Sequence, residues 1–129
     1  MFKNLLILII SASLVFSCSK KATQQEVNLK PSSEEKGRLI YFEAVEALND
    51  GDTFYAGKKF KEAETLMSQY SWASKASIMS SYADYNRSAY SSAIFGLERH
   101  IANYPADKNI AYAHYLMAIC YYEQILDEK

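Results

Sequence analysis

Apolar residues recur along most of the chain at the spacing of an α-helix. Tyr41, Val45 and Leu48 are four and then three residues apart, which places them on one helical face. The pattern stops at Gly51, a residue that suits a helix end, and Asp52 can accept hydrogen bonds from the free amides of a following helix. The sequence therefore predicts one helix before Gly51 and another after Asp52.

The segment 53–67 has the same helical character. Ala56, Phe60, Ala63 and Met67 are spaced four, three and four residues apart. Its charged residues fall mostly off this stripe and are predicted to form a solvated face; they are Lys58, Lys59, Lys61, Glu62 and Glu64. Because a short polar turn joins the two helical segments, the sequence predicts an antiparallel helical hairpin.

The clearest hairpin runs from Trp72 to Pro105, and it repeats the first one at a fixed offset. Moving the first apolar triplet along by 37 residues gives a second triplet, and moving that one by 34 gives a third. The three triplets are Tyr41/Val45/Leu48, Ile78/Tyr82/Tyr85 and Tyr112/Leu116/Ile119. A step of about 34 residues with two helices per step is the tetratricopeptide period, in which each hairpin buries its apolar stripe against its neighbour.

The predicted fold is thus all-α, a tetratricopeptide-like α-solenoid of antiparallel helical hairpins with about two and a half repeats. The repeats are predicted at 37–70, 71–107 and, incomplete, 108–129. The helical segment 109–126 is apolar nearly all round and no further helix follows it, so we expect the front portion of a longer array. Asp84 occupies a position where an apolar residue is expected; either its turn is partly exposed or its carboxylate is paired.

The N-terminus has the character of a secretory signal. Lys3 precedes an apolar run of 12 residues, which is too short to cross a bilayer as a helix, and Cys18 follows directly after Ser17. This end of the run resembles the lipobox of bacterial lipoproteins, which predicts a signal peptide at 1–17 and acylation of Cys18. Ordinary signal cleavage beside a chance cysteine is the alternative. The polar segment 18–36 is predicted to be a flexible, lipid-anchored tether.

Composition narrows the possible functions. The 129 residues are 50% hydrophobic and 22% charged, which fits one folded domain. A formal net charge of −1 gives no concentrated positive field, so we expect no binding to nucleic acid. The 11 tyrosines are accordingly interpreted as packing residues rather than as base-stacking platforms.

No arrangement of residues predicts catalysis, a metal site or a cofactor site. The sequence has no phosphate loop, no glycine-rich dinucleotide turn and no nucleophile elbow, and we expect a protein that is not an enzyme. His114 is expected to pack inside the array and His100 to lie at a partly solvated helix end. Cys120 is expected to be a buried thiol.

The surface expected to bind a partner follows from the geometry of stacked hairpins. The first helix of each hairpin lines the concave side, so the three triplets would form a tyrosine-rich apolar ladder, the candidate peptide-binding groove. We call these nine residues the ladder: Tyr41, Val45, Leu48, Ile78, Tyr82, Tyr85, Tyr112, Leu116 and Ile119. The alternative is that they only pack helix against helix.

Lipobox, polar tether and helical repeats together resemble the BamD family of outer-membrane β-barrel assembly lipoproteins. The resemblance is strongest in GLERHIANYPADKNIAYAHYLMAICYYEQI, from Gly96 to Ile125, and covers about half of a full-length member. It implies a lipid-anchored protein on the periplasmic face of the cell outer membrane. Ser19, directly after the cysteine, also favours the outer membrane.

The same resemblance implies partners. The first repeats would bind unfolded segments of outer membrane proteins, and later repeats would dock on the barrel-forming assembly protein and companion lipoproteins. The resulting hypothesis is a non-enzymatic adaptor in β-barrel assembly. The alternative is a tetratricopeptide lipoprotein scaffold of another envelope system, in cell-wall coordination or as a secretin pilot.

Overall fold

The computed structural model describes residues 30–127, and its regular elements are α-helices. Cys18, the signal peptide and most of the predicted tether lie outside the described residues. The helices are α1 (Ser33–Asn49), α2 (Thr53–Leu66), α3 (Trp72–Asn86), α4 (Tyr90–Asn103) and α5 (Ile110–Asp127). Each helix packs on the next one in sequence, and α3 also contacts α1 and α5. The prediction of an all-α tetratricopeptide-like solenoid is confirmed.

The helices of a hairpin are antiparallel because the turns between them are short. Gly37, near the start of α1, lies directly against Met67, which follows the end of α2. Farther along, Glu43 accepts a hydrogen bond from Tyr55 in the first turn of α2. The turn between α1 and α2 contains Gly51 at a φ of 86°, a left-handed conformation that glycine adopts without strain.

The first helix begins earlier than the sequence analysis predicted. It starts at Ser33 rather than at residue 37, so residues 33–36, which were assigned to the tether, are helical. The cause is a capping box: the Glu35 amide donates to Ser32 Oγ at 3.1 Å, and the Ser32 amide donates to Glu35 Oε2 at 2.8 Å. The local serine and glutamate stabilise the first turn before any apolar residue faces the core.

Within the described residues the interior consists of three apolar clusters, formed largely by small residues that let helix backbones approach closely. One cluster lies around Phe60 and a second around Met67. The third joins the second hairpin to α5 and includes Leu97 and Leu116. Ala93 and Cys120 belong to this third cluster and are fully buried, as the sequence predicted for the thiol.

Two acidic side chains enter this interior, each with a cationic partner. Asp84 is 4% exposed, and its carboxylate accepts hydrogen bonds from Arg87 at 2.9 and 3.0 Å. Of the two alternatives for Asp84, pairing is the correct one. Glu64, predicted to lie on the solvated face of α2, is instead buried, and Arg99 Nη2 of α4 donates to its Oε2 at 2.8 Å. Its side of α2 faces α4, which a single-helix pattern does not reveal.

Candidate functional site

The first helices of the three hairpins meet at a shallow depression of about 470 Å³, which we call the groove. Four ladder residues line it together with residues that the sequence analysis did not select. The lining residues are Tyr41, Lys75, Ile78, Met79, Tyr82, Lys108, Asn109 and Tyr112. The structure therefore brings one or two ladder residues from each of α1, α3 and α5 to the same place.

Exposure differs among the four ladder residues in the groove. Tyr112 is 42% exposed, Tyr41 and Tyr82 are half-buried, and Ile78 is 6% exposed. The Tyr41 ring is held by edge-to-face contacts with Phe60, at 5.2 Å between ring centroids, and with Trp72 at 5.3 Å. The groove thus has a fixed apolar floor at Ile78 and tyrosine rings that solvent reaches at its sides.

The other five ladder residues do not line the groove. Val45 and Leu48 are half-buried against the cluster around Phe60. Tyr85 lies 6.3 Å from the Tyr82 ring, measured between centroids, and Ile119 is half-buried.

Leu116 shows why the ladder is not one continuous surface. It is 2% exposed and packs with Ile94 and Leu97 of α4. The prediction that Leu116 faces the groove is wrong, because its side of α5 is turned towards the second helix of the preceding hairpin. For Leu116 the alternative interpretation of the ladder, packing of helix against helix, is the correct one.

Two lysines at the groove were missed by the sequence analysis. Lys75 is half-buried, with its Nζ 4.3 Å from the centroid of the Trp72 ring, and Lys108 is exposed in the turn before α5. Among the described residues, neither ammonium lies within salt-bridge distance of a carboxylate. Their positions in the sequence could have identified them, because Lys75 and Lys108 lie about one helical turn before Ile78 and Tyr112 respectively.

Two tyrosines of the groove, Tyr41 and Tyr112, are neutral hydrogen-bonding groups. Burial raises the pKa of Tyr41 above its ordinary value, and burial together with nearby tyrosines raises the pKa of Tyr112. Both phenols therefore stay protonated at neutral pH and can donate hydrogen bonds. The groove combines an apolar aromatic surface, phenol donors and two positive charges.

Comparison with known protein families identifies the chain. The family model described as YfiO, outer membrane lipoprotein, matches residues 33–129, beginning at the first residue of α1. The chain belongs to the YfiO family. It is also 32% identical over 119 residues to the outer membrane protein assembly factor BamD of Caulobacter vibrioides. That alignment covers 92% of this chain, and the chain spans 38% of the length of this curated relative.

These matches confirm the resemblance to the BamD family and the interpretation of the chain as an N-terminal portion of such a protein. They also support the outer membrane as the location of this YfiO-family chain. Among residues 30–127, no helix is both long and apolar enough to cross a bilayer. The same residues contain no group of three or more histidine, cysteine, aspartate or glutamate side chains placed to hold a metal ion.

The two histidines of this YfiO-family chain are placed opposite to the prediction. His100 is fully buried, whereas His114 is exposed. The reason is helical phase: His100 continues the buried stripe of α4 after Ala93 and Leu97, and His114 lies beside the buried stripe of α5. Neither ring nitrogen of His100 has a hydrogen-bond partner within the described residues.

We expect His100→Leu to raise the free energy of unfolding at neutral pH by about 1 kcal/mol, because it removes an unsatisfied buried polar group. Burial lowers the pKa of His100, with Asp107 and Glu64 opposing that shift and Arg99 adding to it. His100 therefore binds a proton more readily in the unfolded chain than in the folded one. The stability that is present above a pH of about 6.5 is lost as the pH falls towards the pKa of His100 in the folded chain.

Urea denaturation at a series of pH values tests this expectation. The His100→Leu variant should lose part of the wild-type decline in stability below a pH of about 6.5. His114→Leu is the matched control, because it removes an imidazole from an exposed site. An unaltered profile in the His100→Leu variant would contradict the expectation.

Proposed function

We propose that this chain is a non-enzymatic adaptor in the assembly of β-barrel outer membrane proteins. In this proposal Cys18 carries the lipid that holds it on the periplasmic face of the outer membrane, and the groove binds extended segments of unfolded barrel proteins. Membership of a family of outer membrane lipoproteins and similarity to a BamD assembly factor support the role. The observation that carries the groove assignment is the convergence of Tyr41, Tyr82 and Tyr112 from three helices.

The groove suits an extended apolar segment with an aromatic residue. Its volume of about 470 Å³ lies within the ordinary range of sites that hold a small ligand or a few side chains. Tyrosine rings supply contact area at low conformational cost, and their hydroxyl groups can bond a peptide main chain. Such contacts give affinity without demanding one sequence, which an adaptor for many different barrel proteins requires.

The two lysines favour one orientation of a peptide bound in the groove. Lys75 and Lys108 lie beside its aromatic part, and each can offer a positive charge to a carboxylate. The resemblance to the BamD family implies substrates whose chains end on aromatic residues. A peptide whose terminal aromatic side chain occupies the groove would bring its terminal carboxylate towards these lysines, where a unit charge pair near the surface is favourable.

Titration with a peptide from the last strand of an outer-membrane barrel tests the groove. We expect Tyr82→Ala and Tyr112→Ala each to weaken binding about tenfold, since each removes an aromatic contact worth about 1 kcal/mol or more. Phe95→Ala is the matched control, because Phe95 is 70% exposed on α4 and does not line the groove. Unchanged affinity in both tyrosine variants would overturn the groove assignment.

An amidated version of the same peptide tests the role of the lysines. Amidation should weaken binding to the wild-type chain, and it should make little difference to a Lys75→Met/Lys108→Met variant. The salt dependence should also fall in that variant, because exposed charge pairs are screened by ions.

The proposed barrel-forming partner and companion lipoproteins are assigned by resemblance to later repeats of the family. Co-purification from detergent-extracted outer membrane, with the chain expressed within its complete polypeptide, tests these partners. Barrel-assembly proteins in the eluate would support the proposal. Proteins of a cell-wall or secretin system in their place would favour the scaffold of another envelope system.

A further inference from the structure

The outer side of α1 carries an apolar patch that no described helix covers. Leu39 is 69% exposed and Phe42 is 49% exposed. Within residues 30–127, α1 contacts α2 and α3, and these helices leave about half or more of each of the two side chains exposed. A shallow depression of about 610 Å³ follows this side of the helix; Pro31, Glu35, Arg38, Leu39 and Phe42 line it.

Aromatic and cationic groups extend the patch beyond α1. The Phe42 and Trp72 rings lie 5.9 Å apart between centroids in an edge-to-face arrangement. The Arg38 guanidinium carbon lies 5.1 Å from the centroid of the Trp72 ring. Glu35 is the acidic residue lining the depression, and its carboxylate accepts a hydrogen bond from the Ser32 amide. We call Arg38, Leu39, Phe42 and Trp72 the α1 patch.

This composition matches the boundary between lipid headgroups and acyl chains. Tryptophan is enriched at that depth because its ring is apolar and its N–H is polar. Leucine and phenylalanine side chains enter the acyl region, while an arginine can keep its charged group among the phosphates. A patch with this small number of apolar residues binds a bilayer only weakly on its own. It therefore needs a second attachment to the membrane.

A lipid on Cys18 would supply that second attachment, because Cys18 is close to the patch along the chain. Residues 19–30 separate Cys18 from Pro31. Whatever their conformation, 12 residues span at most about 45 Å. A lipid on Cys18 would hold the start of α1 within that distance of the bilayer, and such tethering raises the effective concentration of the surface.

We propose that the α1 patch docks on the periplasmic surface of the bilayer that holds the lipid anchor. Leu39 and Phe42 enter the boundary region, and Arg38 pairs with lipid phosphate. This inference rests on the proposed attachment at Cys18. The groove and the α1 patch are neighbours on α1, because Tyr41 lines the groove and Phe42 belongs to the patch. Adjacent residues lie about 100° apart around a helix. Docking would therefore place the groove beside the membrane into which barrel segments insert.

Trp72 is a native probe for this contact because it is the sole tryptophan in the chain. The chain beginning at Cys18 would be coupled through the Cys18 thiol to a maleimide lipid. Cys120 is fully buried, so it should not react. The vesicles would contain phosphatidylethanolamine and phosphatidylglycerol with brominated acyl chains, which quench tryptophan on contact.

We expect vesicle attachment to quench Trp72 and shift its emission to the blue. A Leu39→Ser/Phe42→Ser variant should lose most of the quenching while remaining attached. Phe95→Ser is the matched control, since it removes an aromatic ring that is 70% exposed on α4 and should leave the quenching unchanged. Equal quenching of the double variant and the wild type would overturn the inference, as would the absence of quenching in the wild type.

The design separates this inference from the proposed function. Chemical coupling supplies the anchor in the vesicle experiment, so that experiment does not depend on natural acylation. Natural acylation is tested separately, by mass spectrometry of the peptide that carries Cys18 in the chain isolated from cells. Peptide titration of a Leu39→Ser variant reports on the groove, where its affinity should match the wild type, because Leu39 is 69% exposed and does not line the groove. If the patch instead joins two copies of the chain, analytical ultracentrifugation will show a dimer that the double variant abolishes, and bilayer docking is then overturned.

Discussion

Replacing Phe60 by alanine is expected to lower the free energy of unfolding by about 3–5 kcal/mol. The Phe60 side chain is fully buried on α2. Its buried neighbours in the same cluster are Ala44, Ala56 and Ala83, from three different helices. Alanine side chains cannot extend into the space that the ring would leave, so most of the cavity would remain.

Urea denaturation followed by circular dichroism measures this loss. Phe95→Ala is the matched control, because it deletes the same ring from a site that is 70% exposed and should cost less than about 0.5 kcal/mol. Phe60 also supports the groove directly, since the Tyr41 ring packs edge-to-face on it. Peptide affinity should therefore fall in the Phe60→Ala variant even under conditions where it is folded. A loss of less than about 1 kcal/mol in stability would contradict this account of the core.

The fold could be predicted from the sequence because its determinants are local and periodic. Apolar spacing located the stripes of each helix, and the step of about 34 residues showed that the hairpins stack. Apolar spacing does not locate the start of α1, because the capping box of Ser32 and Glu35 begins the helix before its first apolar residue. That signal was present in the sequence as a serine followed three residues later by a glutamate.

Charged and polar residues in the interior could not be assigned from one helix at a time. Glu64 resembles its charged neighbours on α2, and only the approach of α4, 35 residues later, buries it against Arg99. His100 was misplaced for a related reason. Its position at the end of α4 suggested solvent, whereas the buried stripe of that helix continues through it.

The candidate groove was predictable only in part. The repeat offset identified Tyr41, Tyr82 and Tyr112, which the structure brings together with Ile78. It could not separate them from Leu116, because the offset marks equivalent positions in each repeat and does not show which of them a neighbouring helix covers.

Replacing Arg99 by methionine should lower the free energy of unfolding by about 2 kcal/mol. Removing one partner of a fully buried ion pair costs about 3–5 kcal/mol, but the Arg99 side chain is 39% exposed, and solvent reduces the effect. Glu64 would keep one hydrogen bond, donated by the Tyr104 hydroxyl at 3.2 Å. Methionine preserves the aliphatic length of arginine, so the loss would report on the charge rather than on packing.

The interaction joins α2 of the first hairpin to α4 of the second, so its loss should loosen the contact between repeats. Amide hydrogen exchange should accelerate in both helices of the Arg99→Met variant. A Glu64→Met/Arg99→Met variant should recover much of the lost stability, because an apolar pair leaves no buried charge unpaired. Lys59→Met is the control: it breaks pairs with Glu43 and Glu62, whose carboxylates are 45% and 51% exposed and stay in contact with water, so it should cost less than about 1 kcal/mol.

A double variant that is less stable than Arg99→Met alone would show that Glu64 stabilises the array without Arg99. Recovery in the double variant would mean that the buried carboxylate mainly requires a partner, and that the pair specifies how the hairpins align more than it adds to their stability. The alignment of the hairpins also sets the separation of α1, α3 and α5 at the groove. Peptide affinity measured across this set of variants would therefore show whether the stacking geometry controls binding.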